Sequence, residues 1–179
     1  MELFTTRLQL KELSLAELEK IHQLHSLPEI DEFNTSGIPG NIQTTELLLN
    51  EWIHQKNIIS RTSYTFCIQL EKINEFVGLI ALNLGKRNYK IAEVWYKIHP
   101  DYWKQGYATE ALKNIIQFGF QNLGLHRIEA GCAVKNIASI KVLKKVGMQM
   151  EGCKRKILPI RGKWVDNYFY SILDTDLIE

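Results

Sequence analysis

The residues most able to do chemistry lie between Ala92 and Leu112. An alternating apolar segment runs into Pro100-Asp-Tyr-Trp-Lys-Gln-Gly-Tyr-Ala-Thr-Glu-Ala-Leu112, whose second half has helical spacing. When a strand turns through a glycine into a helix, the first N–H groups of the helix lack internal partners, and the helix dipole adds partial positive charge. A pyrophosphate can settle on such a mouth. Gly106 and Ala108 keep bulky side chains out of its way. The phrase is neither GxGxxG nor a P-loop, so it does not by itself name a cofactor. Basic residues thicken further on, at Lys141, Lys144, Lys145, Lys154, Arg155 and Lys156; they read either as a solvated face or as a local phosphate contact.

Other chemistries find less support. Cys67, Cys132 and Cys153 are odd in number and widely spaced, so they make no disulfide framework and no CxxC site. His22 and His25 could share a helix face, but no Cys, Asp or Glu cluster completes a metal site, and none is expected. A formal charge of +2 and a pI of about 8.4 are too mild for a dedicated nucleic-acid binder. With no run of eighteen apolar residues and no basic-then-apolar N-terminus, the expectation is a cytoplasmic protein without a membrane partner.

Around the glycine turn the chain reads as one mixed α/β unit. Leu3 to Leu10 is expected to be an opening strand, and Ser14-Leu-Ala-Glu17 a capping box leading into a helix with Leu15, Leu18 and Ile21. Residues Pro28 to Asn41 form a polar loop long enough to act as a lid, followed by a helix from about Thr44 to Gln55. Tyr64 to Leu70 and Phe76 to Leu84 are two strands; Ile91 to Ile98 is a third, with Val94, Tyr96 and Ile98 on one face and Glu93, Trp95 and Lys97 on the other. Ala108, Ala111, Leu112, Ile115 and Gly119 recur at helical spacing until Gly124. Ile128 to Val134 is the next strand, Asn136 caps a helix burying Ile140, Leu143 and Val146, and two strands near Gln149 to Leu158 and Trp164 to Leu173 close the chain. The 179 residues, 45% of them apolar, suffice for one core, so residues 1–179 are read as a single domain.

Taken together, Ala92-Glu-Val, Pro100-Asp-Tyr-Trp, Gly106-Tyr-Ala-Thr-Glu-Ala-Leu112, His126-Arg-Ile-Glu-Ala130, Asn136-Ile-Ala-Ser139, Lys145-Val-Gly147 and Glu151-Gly152 resemble the GNAT acetyltransferase superfamily. The likeness is to its branch that acetylates ribosomal-protein N-termini. It covers residues 91 to 173 closely; the first ninety match in element order and in Thr6-Arg-Leu-Gln-Leu. The resemblance implies a mostly antiparallel sheet of six to seven strands with about four helices. Its fourth and fifth strands, Ile91 to Ile98 and Ile128 to Val134, would splay apart around acetyl-CoA. By the same likeness, backbone groups of Tyr96, Lys97 and Ile98 hold pantetheine, those of Lys104, Gln105, Gly106, Tyr107, Ala108 and Thr109 hold pyrophosphate, and Asn136 meets the pantetheine arm. The activity implied is transfer of an acetyl group to a primary amine, with a fourth-strand N–H polarising the thioester carbonyl.

Glu93 falls where related enzymes carry a strand-borne glutamate base, and Glu129, beside Arg127, is the second candidate. An α-amine with pKa near 8 needs only ~0.8 kcal/mol to be neutral at pH 7.4, whereas a lysine near 10.4 needs ~4, so an α-amine can manage with a weak base. The tyrosine that many relatives use to protonate the departing thiolate falls at Leu143, so Ser139 is the remaining donor. It needs to supply only about 1–2 kcal/mol to a thiol of pKa near 8.5. Trp103 and Lys104 also depart from the wider pattern, and Leu158 stands where one relative places its proposed base. The leading acceptor is a protein N-terminal α-amine. A polyamine or antibiotic amine, favoured by an acidic pocket under Glu29, Asp31 and Glu32, and a non-catalytic acetyl-CoA-binding module are the rivals; the protein is expected as a monomer or homodimer.

Overall fold

The computed structural model describes residues 1–176. Eight strands form one sheet in the order β1-β2-β3-β4-β5-β6-β8-β7. The strands are β1 (Glu2–Phe4), β2 (Leu8–Glu12), β3 (Ser63–Leu70), β4 (Glu75–Leu84), β5 (Ile91–Ile98), β6 (Arg127–Ala133), β7 (Gln149–Ile160) and β8 (Lys163–Leu173). The α-helices are α1 (Leu18–Ser26), α2 (Pro28–Asp31), α3 (Ile42–His54), α4 (Tyr107–Gln121) and α5 (Ile137–Lys145). Every neighbouring pair is antiparallel except β5 with β6.

The sheet has eight strands rather than six or seven because the expected opening strand is a hairpin, with Leu3 opposite Leu10. Thr5 makes the turn: its N–H donates to the Leu8 carbonyl at 2.9 Å, and its Oγ1 accepts from the Leu8 N–H at 2.9 Å. A short hydroxyl side chain closing its own turn is a signal that an apolar-period reading passes over. The fifth helix is α2, one turn opened by Pro28 at the start of the expected polar loop. The Ser14–Glu17 capping box forms as read, with Glu17 Oε2 accepting from the Ser14 N–H at 2.8 Å.

Side chains alternate across the sheet and divide the core in two. On one face Phe66, Ile80, Leu82, Val94 and Ile128 pack under Ala111, Leu112 and Ile115 of α4 and Leu143 of α5. On the other, Cys67 and Leu79 pack under Ile21 and Leu24 of α1 and Leu49 of α3, with Trp52 and Trp95 at the rim. The parallel junction between β5 and β6 lies between these layers, so both helical faces look onto it.

Candidate active site

The junction opens almost as soon as it forms. Ladder partners are Ile91 with Arg127, Ala92 with Ile128 and Glu93 with Glu129, and no pairing continues beyond them. From Val94 onward β5 therefore presents a free edge to a gap, and such an edge can pair with an extended, amide-bearing ligand. Alternation decides which groups face it. The His99 N–H donates to the Val77 carbonyl of β4 at 2.8 Å, and the Lys97 carbonyl points at Gly78, where an added Cβ would stand 2.1 Å from it. Period two then turns the backbone groups of Tyr96 and Ile98, not those of Lys97, toward the gap. The Lys97 backbone expected to hold pantetheine is committed to β4 instead. The Ile98 carbonyl accepts the Trp103 indole N–H at 2.7 Å, which gives Trp103 a role that only folding brings out.

At the far end of the gap stands the mouth of α4. Among the described residues, no protein acceptor meets the backbone N–H of Lys104, Gln105, Gly106, Tyr107, Ala108 or Thr109. Gly106 is the N-cap with φ +86°, and Lys104 also has positive φ, +61°. The glycine is thus required by the turn itself, a stronger reason than leaving room for a ligand. Six unsatisfied donors on a helix mouth beside an open strand edge suit the pyrophosphate and pantetheine of coenzyme A. Lys141, Lys144 and Lys145 are exposed on α5 and form no ion pair among the described residues.

Arg7 holds this turn from the N-terminal hairpin. Its Nε donates to Glu110 Oε2 at 2.7 Å, its Nη1 to the Gln105 carbonyl at 3.1 Å, and its guanidinium lies 4.4 Å from the centre of the Tyr107 ring. Burial alone would raise the Glu110 pKa, but hydrogen bonds from Thr5 and Arg7 hold it below the usual carboxylate range. The resulting stabilisation is complete above the unfolded pKa of about 4.3 and is lost as pH falls through the depressed folded value. Arg7→Ala is expected to cost about 1 kcal/mol of stability at pH 7, since the pair is partly solvated, and to weaken coenzyme A binding about fivefold by loosening the turn. Thermal melts at pH 7 and calorimetric titration check both, and an unchanged affinity would detach Arg7 from the turn.

Below the gap, Tyr96 Oη and Ser139 Oγ lie 2.9 Å apart. Asn136 fixes the serine by accepting the Ser139 N–H on its Oδ1 at 3.1 Å, so the asparagine capping α5 presents only its amide Nδ2 to a ligand. Burial pushes the Tyr96 hydroxyl pKa well above its ordinary value, keeping the phenol protonated and able to donate. Leu143, which the resemblance placed at the position of a thiolate-protonating tyrosine, is buried core. The side chain of Tyr96 was not a sequence candidate. Its face was legible from alternation, but its meeting with Ser139, 43 residues away, was not.

The two glutamate candidates stand side by side at the vertex, in register on β5 and β6. Glu129 accepts Arg127 Nε at 2.8 Å, and Arg127 also pairs with Glu151, which takes the Ser171 hydroxyl at 2.7 Å. Glu129 is thereby tied to a cation. Glu93 makes no hydrogen bond or ion pair among the described residues, not even with Lys97 two pleats along its own face. Partial burial, with the neighbouring Glu129 adding and Lys154 opposing, raises its carboxyl above the ordinary range. A free carboxylate of raised pKa at the vertex is the arrangement a general base needs. Leu158 of β7 carries no carboxylate, and the described residues hold no cluster able to bind a metal.

A split sheet whose gap runs from paired glutamates to an unsatisfied helix mouth has the shape and the free donors that suit an acyl carrier with phosphates and a pantetheine arm. The chain belongs to the acetyltransferase (GNAT) domain family, whose sequence model matches residues 7–149. It is 41% identical over 92 residues to the uncharacterized N-acetyltransferase YnaD of Bacillus subtilis, a match spanning 51% of this chain and about half, 52%, of that relative. An acetyltransferase (GNAT family) from Bacillus anthracis superposes with a TM-score of 0.85 at 27% identity, covering 98% of this chain and 99% of that one. The same fold occurs in RimL, a ribosomal L7/L12 alpha-N-protein acetyltransferase in complex with coenzyme A (TM-score 0.85, 18% identity, 97% and 98% covered). It occurs also in a spermidine N-acetyltransferase from Vibrio cholerae with CoA and spermine (TM-score 0.85, 23% identity, 96% and 98% covered).

Proposed function

We propose that residues 1–179 act as one N-acetyltransferase domain whose acceptor is an α-amine, of the kind found at a protein N-terminus. The observation that carries this reading is that, among the described residues, Glu93 is the one free carboxylate beside the open edge of β5, Glu129 being bound by Arg127. One raised-pKa carboxylate suffices to take a proton from an α-ammonium of pKa near 8 and is poorly matched to an amine near 10.4.

Acetyl-CoA supplies the activated acetyl thioester. Around it, the N–H groups of Lys104, Gln105, Gly106, Tyr107, Ala108 and Thr109 bind phosphate oxygens, and the β5 edge at Tyr96 and Ile98 with Asn136 aligns the pantetheine. Glu93 takes the proton of the incoming ammonium, with burial and the neighbouring Glu129 raising its proton affinity. Ser139, bonded to Tyr96, holds a hydroxyl proton for the sulfur. Because the two hydroxyls work as a unit, Tyr96→Phe and Ser139→Ala are each expected to lower kcat about 3- to 30-fold, and the double variant little further. Stopped-flow thiol release on the four proteins checks this; fully multiplicative losses would separate the two groups.

The acidic pocket that would favour a polyamine lacks support, since Asp31 is buried in an ion pair with Arg161 and Glu29 and Glu32 are exposed. Incubation with acetyl-CoA and a panel of peptide α-amines, polyamines and aminoglycosides, followed by thiol release, tests the reading. Turnover of α-amines is expected; coenzyme binding without turnover on any amine would leave a binding module in its place.

A further inference from the structure

On the face of the sheet that carries Glu93 and Trp95, β6 contributes Glu129, Gly131 and Ala133, because Ile128, Ala130 and Cys132 turn into the core under α4 and α5. β8 follows in register, with Ser171 opposite Glu129, Phe169 opposite Gly131 and Asn167 opposite Ala133. Directly opposed residues of an antiparallel ladder share a face, so Asn167 stands on the Glu93 side. Its side chain does not stay over Ala133 but leans back over Gly131, where an added Cβ would stand 2.8 Å from Asn167 Nδ2. Gly131 lies beyond the last β5–β6 pair, Glu93 with Glu129, and is exposed between the buried Ala130 and Cys132. The asparagine amide is thus brought to the edge of the gap, two residues of strand, about 7 Å, from the vertex.

Asn167 is 4% exposed, and its Oδ1 has no hydrogen-bond partner. The nearest cation is turned elsewhere: Lys154, opposite Asn167 on β7, sets its Nζ 3.6 Å from the centre of the Phe169 ring. A buried carbonyl-type oxygen without a donor lowers stability, and a leucine of similar volume would carry no such cost. The glycine beside it fits the same reading. Residue 131 has no left-handed backbone that would require glycine, so its missing side chain serves to let the amide reach the gap.

We infer that Asn167 holds the backbone of the acceptor's second residue, its Oδ1 accepting that residue's N–H and its Nδ2 donating to that residue's carbonyl, so that the site selects a peptide N-terminus. The inference rests on the N-acetyltransferase reading and names the residue that recognises its acceptor. An asparagine amide offers one acceptor and two donors, and in an extended chain the N–H and C=O of one residue point the same way. Its terminal torsion is soft, so a small rotation turns Oδ1 out to meet the N–H. An α-amine and the next N–H are separated by two carbons, and with a hydrogen bond at each end they span the distance from Glu93 to Asn167. A polyamine or a free amino acid has no such backbone unit to offer.

The test compares alanyl-alanine amide with its depsipeptide analogue, in which an ester oxygen replaces the first peptide N–H and the α-amine is kept. The parent is expected to use the peptide with about tenfold higher kcat/KM, carried mainly by KM, because the ester leaves Oδ1 unpartnered. Asn167→Leu is expected to use both acceptors alike, at the level of the depsipeptide, with coenzyme A affinity within about twofold of the parent and Tm equal or higher. Gly131→Ala, which pushes the amide back without changing its chemistry, is expected to erase most of the same preference. Equal use of the two acceptors by the parent, or a preference that survives in Asn167→Leu, overturns the assignment while acetylation itself stands. A Tm lowered by several degrees in Asn167→Leu also overturns it, since the amide would then already be satisfied within the fold. Calorimetric binding of the N-acetylated pair to the coenzyme A complex repeats the comparison without turnover. A binding preference that is lost in Asn167→Leu, with no acetylation of any amine, keeps the assignment and sinks the catalytic reading; absence of both overturns the two together.

Discussion

Replacing Gly106 by valine is expected to weaken coenzyme A binding by about 2–4 kcal/mol, roughly 30- to 1000-fold in Kd. The residue stands at φ +86°, a conformation that a β-branched side chain adopts only with strain, and an added Cβ would meet Arg7 Nη2 at 3.4 Å. The turn relieves that strain by rotating, and rotation scatters the N–H groups of residues 104 to 109, which gain their affinity by pointing together. Titration calorimetry with coenzyme A reads the loss, and circular dichroism establishes that the variant still folds. An affinity within threefold of the parent would mean that the phosphates bind elsewhere.

The second large effect belongs to the vertex. Glu93→Gln is expected to lower kcat/KM for an α-amine about tenfold at pH 7, and less than about threefold at pH 9. Above a pKa of about 8 the amine is already neutral, so the base has little left to do. The sign at low pH follows from the raised carboxyl pKa: only the ionised form accepts a proton, so the parent rate falls as pH drops through that raised value. The variant lacks this limb. A carboxyl whose folded pKa is raised adds stability only at low pH and opposes folding once ionised, so Glu93→Gln is expected to leave Tm at pH 7 unchanged or higher. A pH–rate profile of unaltered shape would remove Glu93 as the base and return attention to Glu129.

Much of this was legible along the chain. Period-two alternation over Ile91–Ile98 put Tyr96 and Glu93 on opposite faces, and the change to helical spacing after Gly106 located the glycine turn at the mouth of α4. The Asn136 cap and the Gly147 stop bounded α5 to within a residue or two. The hairpin at Thr5 and the single turn of α2 escaped because each is shorter than the window over which periodicity can be heard. The backbone orientation of Lys97 escaped for another reason: which edge of a strand is occupied depends on its neighbours, here Gly78 and Val77 of β4.

The linear order of residues was therefore enough to determine the elements, the two faces of the central strand, the glycine-bearing helix mouth and the family these belong to. Such features arise between residues a few positions apart, where spacing alone sets geometry. Tertiary structure alone decided which charges remain free. Glu93 differs from Glu129 because Arg127 turns to one and not the other, Ser139 gains Tyr96 from a distant strand, and Arg161 crosses 130 residues to hold Asp31. Charge and proton affinity depend on distance and burial in space, and neither is written in the separation of residues along a chain.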